Sequence, residues 1–451
     1  MSFKDRLSRA IPGGAHTYSR GVDQFPANAP EILARGKGAH VWDADGNRFI
    51  DYGMALRAVT LGYADERVNA AALRQIENGN NLTRASLIEL EAAELLIDLI
   101  PSVEMVKFAK NGSNATTAAV KIARAFTGRR LICIPRQHPF FSFDDWFIGT
   151  TTMQRGVDQM SAGGTLLFDY NDFVSLERLF AEHPGQIAAV MLEPATTLTP
   201  CASACCTPLT YDRPCSGCPN LSANFLHQVE NIAHANGALL ILDEMITGFR
   251  WHLQGAQTYF GVKPDLTTFG KGMANGFSVA AVGGRREVME VGATDKPGAE
   301  RTFLLSTTHG GEMSSLGAFV ATVDIYRSDD VCRHLWSFGA SLADDMRSLA
   351  AELGLSRHFQ IDGPAICLNY LTRDADGALS LAYRTLFSQE MIRNGVLMPW
   401  IAVSLAHDEA ILEQTLAAAR KALTVYARAL KDGVERHLAG PAIRPVFRKF
   451  N

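Results

Sequence analysis

The chain has 451 residues, of which 47% are hydrophobic and 20% are charged, as is ordinary for a globular protein. Its net charge of -4, without any block of basic residues, argues against a nucleic-acid-binding surface. No apolar run reaches the roughly 18 residues needed to span a bilayer. The start, MSFKDRLSRAIPGG, lacks the apolar segment of a signal peptide, so we expect a cytoplasmic protein.

The two ends of the chain differ from its middle. The first sixty residues are rich in glycine and aromatic residues, and AHVWDADGNRFIDYG predicts a hairpin that turns near Asp45 and Gly46. After about residue 312 the pattern becomes helical, and a single predicted strand, AICLNYL at 365–371, interrupts it. We therefore expect a small α+β domain assembled from both termini, residues 1–54 and 311–451.

The middle of the chain alternates short apolar runs with amphipathic helical patterns. The predicted strands are 105–110, 130–134, 187–194, 237–244, 265–271 and 279–284, with helices at 115–128 and 224–237 among them. Continuous apolar strands between such helices indicate an α/β fold with a mostly parallel sheet that is covered on both faces. This large domain is expected to run from 55 to 310.

Two glycine-containing segments could bind a phosphate, since ligands of open α/β sheets bind at the carboxyl ends of the strands. In KNGSNATTA, the amides of Gly112, Ser113 and Asn114 would point out of a helix N-terminus. The alternative is an ordinary helix cap by Ser113 or Asn114. The segment STTHGGE at 306–312 is either a further phosphate contact or a flexible loop.

Two charged side chains end neighbouring apolar runs. Asp243 closes ALLILD, where a carboxylate is costly unless it pairs with a buried cation or bonds to a loop amide. Lys271 lies in DLTTFGKGMANGF and is either a surface lysine or a buried amine, whose pKa desolvation would lower, making it able to form a Schiff base. A phosphate cup, an acid and such a lysine, in this chain order, are what pyridoxal phosphate requires.

At these residues the sequence resembles the class III, fold type I pyridoxal-phosphate aminotransferases, and among them the glutamate-1-semialdehyde aminomutases. The matching stretches are IPGGAHTYSR, ARAFTGR, LILDEMITGFR, PDLTTFGKGMANGF and AAVGGR. The resemblance implies a large domain with a mostly parallel seven-stranded sheet and a homodimer with shared active sites. It also implies a reaction between an amino donor and an oxo acceptor.

The resemblance assigns roles by position. Lys271 would hold the cofactor covalently and shuttle a proton, and Asp243 would keep the pyridine nitrogen protonated. The other implied cofactor contacts are Gly112, Ser113 and Asn114 in the phosphate cup, Phe140 and Met245 on the ring faces, Glu193 near the phenol edge, and Thr308 toward the neighbouring subunit's phosphate. The intact lysine, acid and cup argue against a catalytically silent relative that only binds partners.

Departures from the family pattern concern the substrate. Aminomutases supply a Ser and an Arg from the PGG segment, and Thr17 and Arg20 occupy the matching positions here. Arg20 suits a substrate carboxylate through bidentate pairing, unless it forms a surface ion pair. Where the aminomutases carry a Glu before a SLAH stretch, this chain has Pro399 and Trp400, so Trp400 would border the substrate without a charge. This favours an aminotransferase over an intramolecular aminomutase.

Five of the eight cysteines lie in an insertion at 200–220, PCASACCTPLTYDRPCSGCPN. The spacing is close to that of a four-thiolate zinc site, with Cys205 or Cys206 spare; the alternative is a loop of unligated thiols or a reduced buried pair. The ligand set we predict is Cys201, Cys206, Cys215 and Cys218. A metal-dependent module built on this cluster is a further functional hypothesis. It predicts loss of function on Cys215→Ser but little on Lys271→Ala.

Overall fold

Three adjacent strands of the main sheet, Leu239–Glu244, Ile187–Leu192 and Leu131–Pro135, consist entirely of buried residues. Their continuous apolar sequences allow no polar face, so both faces of the sheet must be covered by other elements. The computed structural model describes residues 1–138, 140–201, 209–215 and 220–450.

The described strands are β1 (Leu33–Lys37), β2 (His40–Asp43), β3 (Arg48–Asp51), β4 (Met105–Ala109), β5 (Leu131–Pro135), β6 (Thr165–Phe168), β7 (Ile187–Leu192), β8 (Leu239–Glu244), β9 (Leu266–Phe269), β10 (Ala280–Gly284), β11 (Phe359–Asp362), β12 (Asn369–Thr372) and β13 (Val396–Leu397).

The described α-helices are α1 (Phe3–Ala10), α2 (Met54–Arg57), α3 (Glu66–Glu77), α4 (Leu87–Leu99), α5 (Gly112–Thr127), α6 (Asp145–Ile148), α7 (Gln159–Ala162), α8 (Phe173–Glu182), α9 (Phe225–Ala235), α10 (Gly255–Phe260), α11 (Arg286–Met289), α12 (Met313–Ser328), α13 (Val331–Glu352), α14 (Leu381–Arg393) and α15 (Glu409–Asp432). Short 3-10 helices are Pro12–Gly14, Tyr18–Arg20, Val22–Gln24, Leu221–Ala223, Lys271–Ala274, Glu290–Gly292 and Val434–Arg436.

The unit Glu66–Arg333 contains a seven-stranded sheet in the order β4-β10-β9-β8-β7-β5-β6. The neighbours from β9 through β8, β7 and β5 to β6 are parallel, and β10 runs antiparallel to both β4 and β9. The predicted α/β fold with a mostly parallel seven-stranded sheet is thereby confirmed. The carboxyl ends of β4, β9, β8, β7 and β5 consequently share one edge of this sheet, which is where its ligands are expected.

The second unit combines Met1–Asp65 with His334–Asn451. Its sheet has the order β1-β2-β3-β13, in which the predicted hairpin forms β2 and β3 and the C-terminal β13 adds in parallel to β3. The prediction of a single strand after residue 312 was wrong, because β11, β12 and β13 all lie there. These strands have two to four residues, too few for alternation of polar and apolar side chains to be recognised.

None of the described helices combines the length and the apolar character that crossing a lipid bilayer requires.

Candidate active site

Asp243 and Thr268 lie opposite each other on the parallel strands β8 and β9. The Asp243 Oδ1 atom accepts a hydrogen bond of 2.9 Å from the Thr268 hydroxyl and one of 3.1 Å from the Met245 amide. Thr268 was not predicted, although a threonine pair inside the apolar run DLTTF was an available signal. These two bonds fix the orientation of a carboxyl group that is only 2% exposed.

Burial is the dominant influence on the Asp243 carboxyl and raises its pKa to about 6. The hydrogen bonds from Thr268 and Met245 and the positive charge of Lys271 oppose this rise without cancelling it. The group is therefore poised between its neutral and ionised forms near neutral pH. A cationic nitrogen brought next to it would favour the carboxylate and would itself be stabilised in its protonated form.

Lys271 begins the short 3-10 helix Lys271–Ala274 immediately after β9. Its backbone has φ 44°, in the left-handed region that non-glycine residues rarely adopt. The side chain is half-buried, between the surface and buried alternatives that the sequence left open, and its charge acts on Asp243. Local backbone strain tends to concentrate at active sites, which agrees with the role predicted for this lysine.

The predicted phosphate cup forms the first turn of α5. The helix is capped by Asn111 rather than by Ser113 or Asn114, since the Asn111 side chain accepts a hydrogen bond from the Asn114 amide at 3.0 Å. The Asn114 amide was predicted to bind a ligand, but this bond already occupies it. The amides of Gly112 and Ser113 have no acceptor in the described part of the chain. The Ser113 hydroxyl accepts from the Phe143 amide at 3.1 Å. Two amides and a hydroxyl at a helix N-terminus make a suitable phosphate cradle.

Met245 connects the cup with the lysine turn. A Cβ atom added to Gly112 would lie 3.1 Å from the Met245 Sδ atom, and one added to Gly270 would lie 2.6 Å from the same atom. The thioether thus borders both glycines, and the ends of β4, β8 and β9 converge around it. Met245 also packs with Ala109, Ala115 and Ala280.

These residues fit pyridoxal phosphate. Free amides at a helix N-terminus suit its phosphate, a buried carboxyl with a raised pKa suits its ring nitrogen, and Lys271 suits its aldehyde. The absence of side chains at Gly112 and Gly270 lets the Met245 thioether lie against the backbone at both positions.

Three further predicted cofactor contacts lie in the same unit. Glu193 directly follows β7, is 4% exposed, and donates its amide to His138 Nδ1 at 3.1 Å. Phe140 is half-exposed and packs edge-on against Phe147, with ring centroids 5.7 Å apart. Thr308 lies in an exposed turn, and its carbonyl accepts from the Asn81 side chain at 3.1 Å. The cofactor roles of Glu193, Phe140 and Thr308 remain predictions.

The predicted substrate residues belong to the other unit. Trp400 donates its indole N–H to the Gly53 carbonyl at 3.0 Å, while Thr17 is half-buried and Arg20 is exposed. The Arg20 charge acts on Asp51, a buried carboxyl whose pKa is nevertheless raised, chiefly by burial.

The turn α2 follows Gly53 and is left-handed, with φ between 39° and 68° at all four residues. The Asp51 carboxylate holds its start, accepting from the Gly53 amide at 2.7 Å and from the Tyr63 hydroxyl at 2.6 Å. The Tyr63 hydroxyl in turn accepts from the Ala55 amide at 2.9 Å. These bonds offset the strain of a conformation that side chains with a Cβ atom disfavour.

Two of the predicted metal ligands, Cys206 and Cys218, lie outside the described residues. Cys215 is 1% exposed, and its Sγ atom accepts from the Asn224 side chain at 3.4 Å, while Cys201 is half-buried. Across the described ranges, no group of three or more His, Cys, Asp or Glu side chains could hold a metal ion. The zinc site remains an untested prediction.

The sequence matches the family model described as aminotransferase class-III over residues 18–197 and 215–362. It is 32% identical over 447 residues to the glutamate-1-semialdehyde 2,1-aminomutase of Thermomicrobium roseum, covering 95% of this chain and 98% of the relative. The enzyme of the same name from Roseiflexus castenholzii is 31% identical, with 94% and 96% of the two chains covered.

Solved structures with the same fold include transaminases. The FumI protein of a Sphingopyxis species, in its PLP internal aldimine form, superposes with a TM-score of 0.81 at 27% identity, covering 95% of this chain and 96% of that one. An omega-transaminase from Sphaerobacter thermophilus gives a TM-score of 0.77 at 26% identity, with the same coverage.

Proposed function

The chain belongs to the class-III aminotransferase family, and from that membership we propose that it moves an amino group from a donor to a separate, carboxylate-bearing oxo acceptor. It is a pyridoxal-phosphate-dependent enzyme acting on an amino donor and an oxo acceptor. The observation that carries the proposal is the placement of Lys271 beside the buried Asp243, with the amides of Gly112 and Ser113 free at the same sheet edge.

Bound pyridoxal phosphate supplies an aldehyde and a ring that accepts electrons from the substrate carbon. Lys271 would hold that aldehyde through its amine, and the same amine would move the proton at the substrate Cα. Asp243 keeps a proton on the ring nitrogen, because its carboxylate form is stabilised by the cation that results. The amides of Gly112 and Ser113 would hold the phosphate and so fix the position of the ring.

Trp400 supports a reaction between a separate amino donor and oxo acceptor over an intramolecular exchange. Its polar atom is engaged by the Gly53 carbonyl, so it presents only an apolar surface where the aminomutases carry a glutamate. An intramolecular exchange must retain a charged diamine, which an apolar side chain does not hold. The relatives named as aminomutases share about a third of their residues with this chain, so aminomutase activity is the alternative.

We propose that the substrate carries a carboxylate that pairs with Arg20, with Thr17 and Trp400 as neighbouring contacts. The exposed Arg20 is not committed to a salt bridge within the described residues, although its charge acts on Asp51. An arginine guanidinium presents two parallel donors, which match the two oxygens of a carboxylate.

We also propose a cytoplasmic homodimer in which Thr308 contacts the phosphate of the neighbouring site. The support is a set of exposed apolar side chains on α3 and α4, two helices that both pack against α12. It consists of Leu73, Ile76, Leu87 and Leu90, which are 52–72% exposed. Exposed apolar side chains clustered in this way are typical of subunit interfaces.

The test is a screen of amino donors against purified protein loaded with pyridoxal phosphate. A true donor converts the lysine-bound cofactor to its amine form without any acceptor, and a later oxo acid restores the original visible absorbance. Lys271→Ala should lose both changes, while Lys263→Ala, in the loop before β9, should keep them.

The aminomutase alternative predicts a different result. Glutamate 1-semialdehyde alone would then be isomerised at a rate that no added donor or acceptor increases. A wild-type protein that acquires no visible absorbance from added cofactor would overturn the whole proposal.

A further inference from the structure

His138 follows β5 at the same sheet edge, and neither the sequence motifs nor the proposed reaction assigns it a role. Its ring is 6% exposed and lies between Phe141 and Tyr170, with centroid distances of 5.6 Å and 5.3 Å. Its Nδ1 atom accepts the Glu193 amide at 3.1 Å. The loop is fixed further by the neighbouring Gln137, whose side chain accepts the Tyr170 amide at 2.9 Å.

These contacts determine the tautomer of the ring. Because Nδ1 accepts a backbone N–H, the single proton of the neutral imidazole must be on Nε2. Burial lowers the pKa of His138 to about 3, so the ring stays neutral at any pH at which the enzyme would work. His138 therefore presents a fixed, uncharged N–H donor.

Within the described part of the chain, that donor has no acceptor. The Nε2 atom is buried and makes no hydrogen bond to any residue of the described chain. The Tyr170 hydroxyl beside it is already committed, donating to the Pro194 carbonyl at 2.8 Å. A buried N–H without a partner destabilises the fold, which is why nearly all such groups in proteins are paired with protein, water or ligand.

The order of the strands indicates which ligand atom faces this donor. Along the sheet edge come the phosphate cup after β4, Lys271 after β9, Asp243 on β8, Glu193 after β7 and His138 after β5. In pyridoxal phosphate, the phosphate arm and the phenol oxygen lie on opposite sides of the line from the aldehyde carbon to the ring nitrogen. With the phosphate toward β4, the phenol oxygen is directed toward β7 and β5.

We propose that His138 is a positioning residue that holds the Glu193 backbone through Nδ1 and donates through Nε2 to the phenol-oxygen side of the bound cofactor. This inference rests on the proposed function and adds a neutral donor opposite the phosphate cup. Such a donor stabilises the oxygen as an anion, which lowers the proton affinity of the neighbouring nitrogen that links the cofactor to Lys271. The ionisable groups near this edge include Glu193, Asp243 and Lys271 itself. They also include Arg136 and Asp169, which follow β5 and β6 and pair with each other at 3.5 Å.

Two substitutions separate the nitrogens of the ring. In His138→Asn, the side-chain oxygen can replace Nδ1 and keep the Glu193 amide, while the donor at the Nε2 position is lost. In His138→Gln, the amide group reaches the Nε2 position and can donate there, while the Nδ1 acceptor is lost.

We expect His138→Asn to bind pyridoxal phosphate about tenfold more weakly in a titration of the apoprotein, which corresponds to about one hydrogen bond. The pH midpoint of the visible absorbance of the loaded protein should rise by about one unit. His138→Gln should retain most of the wild-type midpoint, and thermal unfolding should show that both variants fold.

A His138→Asn protein with wild-type affinity and midpoint would overturn the inference, since the donor would then serve only internal water. Equal shifts in both variants would also overturn it, because they would reflect displacement of Glu193 alone. These failures leave Lys271-dependent binding intact in the wild type. Failure of the proposed function would instead show as wild-type protein that binds no cofactor.

Discussion

At the scale of single residues, burial of the Asp243 carboxyl reduces the stability of the folded protein at neutral and alkaline pH. The folded pKa of Asp243, about 6, lies above the ordinary value of 3.8, so the folded apoprotein holds this proton more tightly than the unfolded chain. The contribution of this carboxyl to the free energy of unfolding has its full value below about pH 4 and is lost as the pH rises through 6. Asp243→Asn keeps the acceptor for Thr268 and Met245 but removes the buried charge. We expect the apoprotein to gain about 2 kcal/mol in unfolding free energy at pH 8, measured by urea titration.

The same variant should lose at least about a hundredfold in kcat/KM, because nothing then keeps the ring nitrogen protonated. Asp265→Asn is the matched control. Burial pushes the pKa of Asp265 upward, but hydrogen bonds from His234, the Leu240 amide and Arg285 outweigh it and lower that pKa. Stability from Asp265 is present above pH 3.8 and lost on acidification, so this variant should be less stable at pH 8 and still bind cofactor. An unstable Asp243→Asn apoprotein would contradict the assignment.

The contact between Gly270 and Met245 predicts a steric effect of Gly270→Ala on cofactor binding. The Gly270 φ of -179° is open to any residue, so the cost of Gly270→Ala arises from the Cβ atom placed 2.6 Å from Met245 Sδ. The methionine must move away from Gly270, and Gly112, whose Cβ position is 3.1 Å from the same atom, limits where it can go. We expect cofactor affinity to fall about tenfold, equivalent to about 1.4 kcal/mol. Titration of the apoprotein with pyridoxal phosphate measures this.

Gly128→Ala is the control for Gly270→Ala. Gly128 closes α5 with φ 66° and has nothing within 4 Å of an added Cβ. It should lose about 1 kcal/mol of stability from the left-handed backbone without any change in cofactor affinity. If both variants weaken binding equally, the space around Met245 is not what the cofactor uses.

At the scale of elements, Glu244 organises the loop between β8 and α10. It is fully buried and accepts the amides of Ala256 and Gln257, the Gln257 side chain and the Thr247 hydroxyl, and burial raises its pKa. Glu244→Ala leaves several buried donors unpaired, so we expect a loss of about 3 kcal/mol in chemical unfolding. Glu244→Gln should lose less, because its oxygen still accepts some of these bonds. Equal stability of Glu244→Ala and the wild type would show that the loop is held by other contacts.

The elements near the site could largely be predicted because they are long and apolar. The strands expected at 187–194 and 237–244 are observed as Ile187–Leu192 and Leu239–Glu244, shortened only at their ends. The cap of α5 was misassigned because NGSN offers three side chains that can all cap a helix, and only the backbone decides among them. β6 was missed because a run of four residues carries little periodicity.

At the scale of the whole chain, the order of the predicted cup, acid and lysine could be read from the sequence because each lies at the end of a recognisable strand. Thr268 and His138 were not predicted as site residues, because their contacts with Asp243 and Glu193 depend on which strands are neighbours. The order of strands in a sheet cannot be read from the local sequence. The left-handed turn α2 had no signal either, because Met-Ala-Leu-Arg favours an ordinary right-handed helix. Tertiary hydrogen bonds from Asp51 and Tyr63 override that preference.

The proposed dimer predicts that charged side chains on α4 will separate the subunits. Leu87 and Leu90 are 72% and 55% exposed on α4, and charges at both positions would be buried without partners if this surface is an interface. We expect the double variant Leu87→Asp, Leu90→Asp to sediment as a monomer and to lose activity. Its cofactor affinity should fall as well, because Thr308 would no longer reach the neighbouring phosphate.

Val174→Asp provides the comparison, since Val174 is 69% exposed on α8 and is not part of the α3 and α4 surface. That variant should remain dimeric and active. A Leu87→Asp, Leu90→Asp protein that is still dimeric would place the interface elsewhere. Wild-type protein that is monomeric at every concentration and fully active would remove the shared site altogether. Val174 is about as exposed as Leu87 and Leu90 but lies on another helix, so the comparison tests the position of the apolar side chains rather than their exposure.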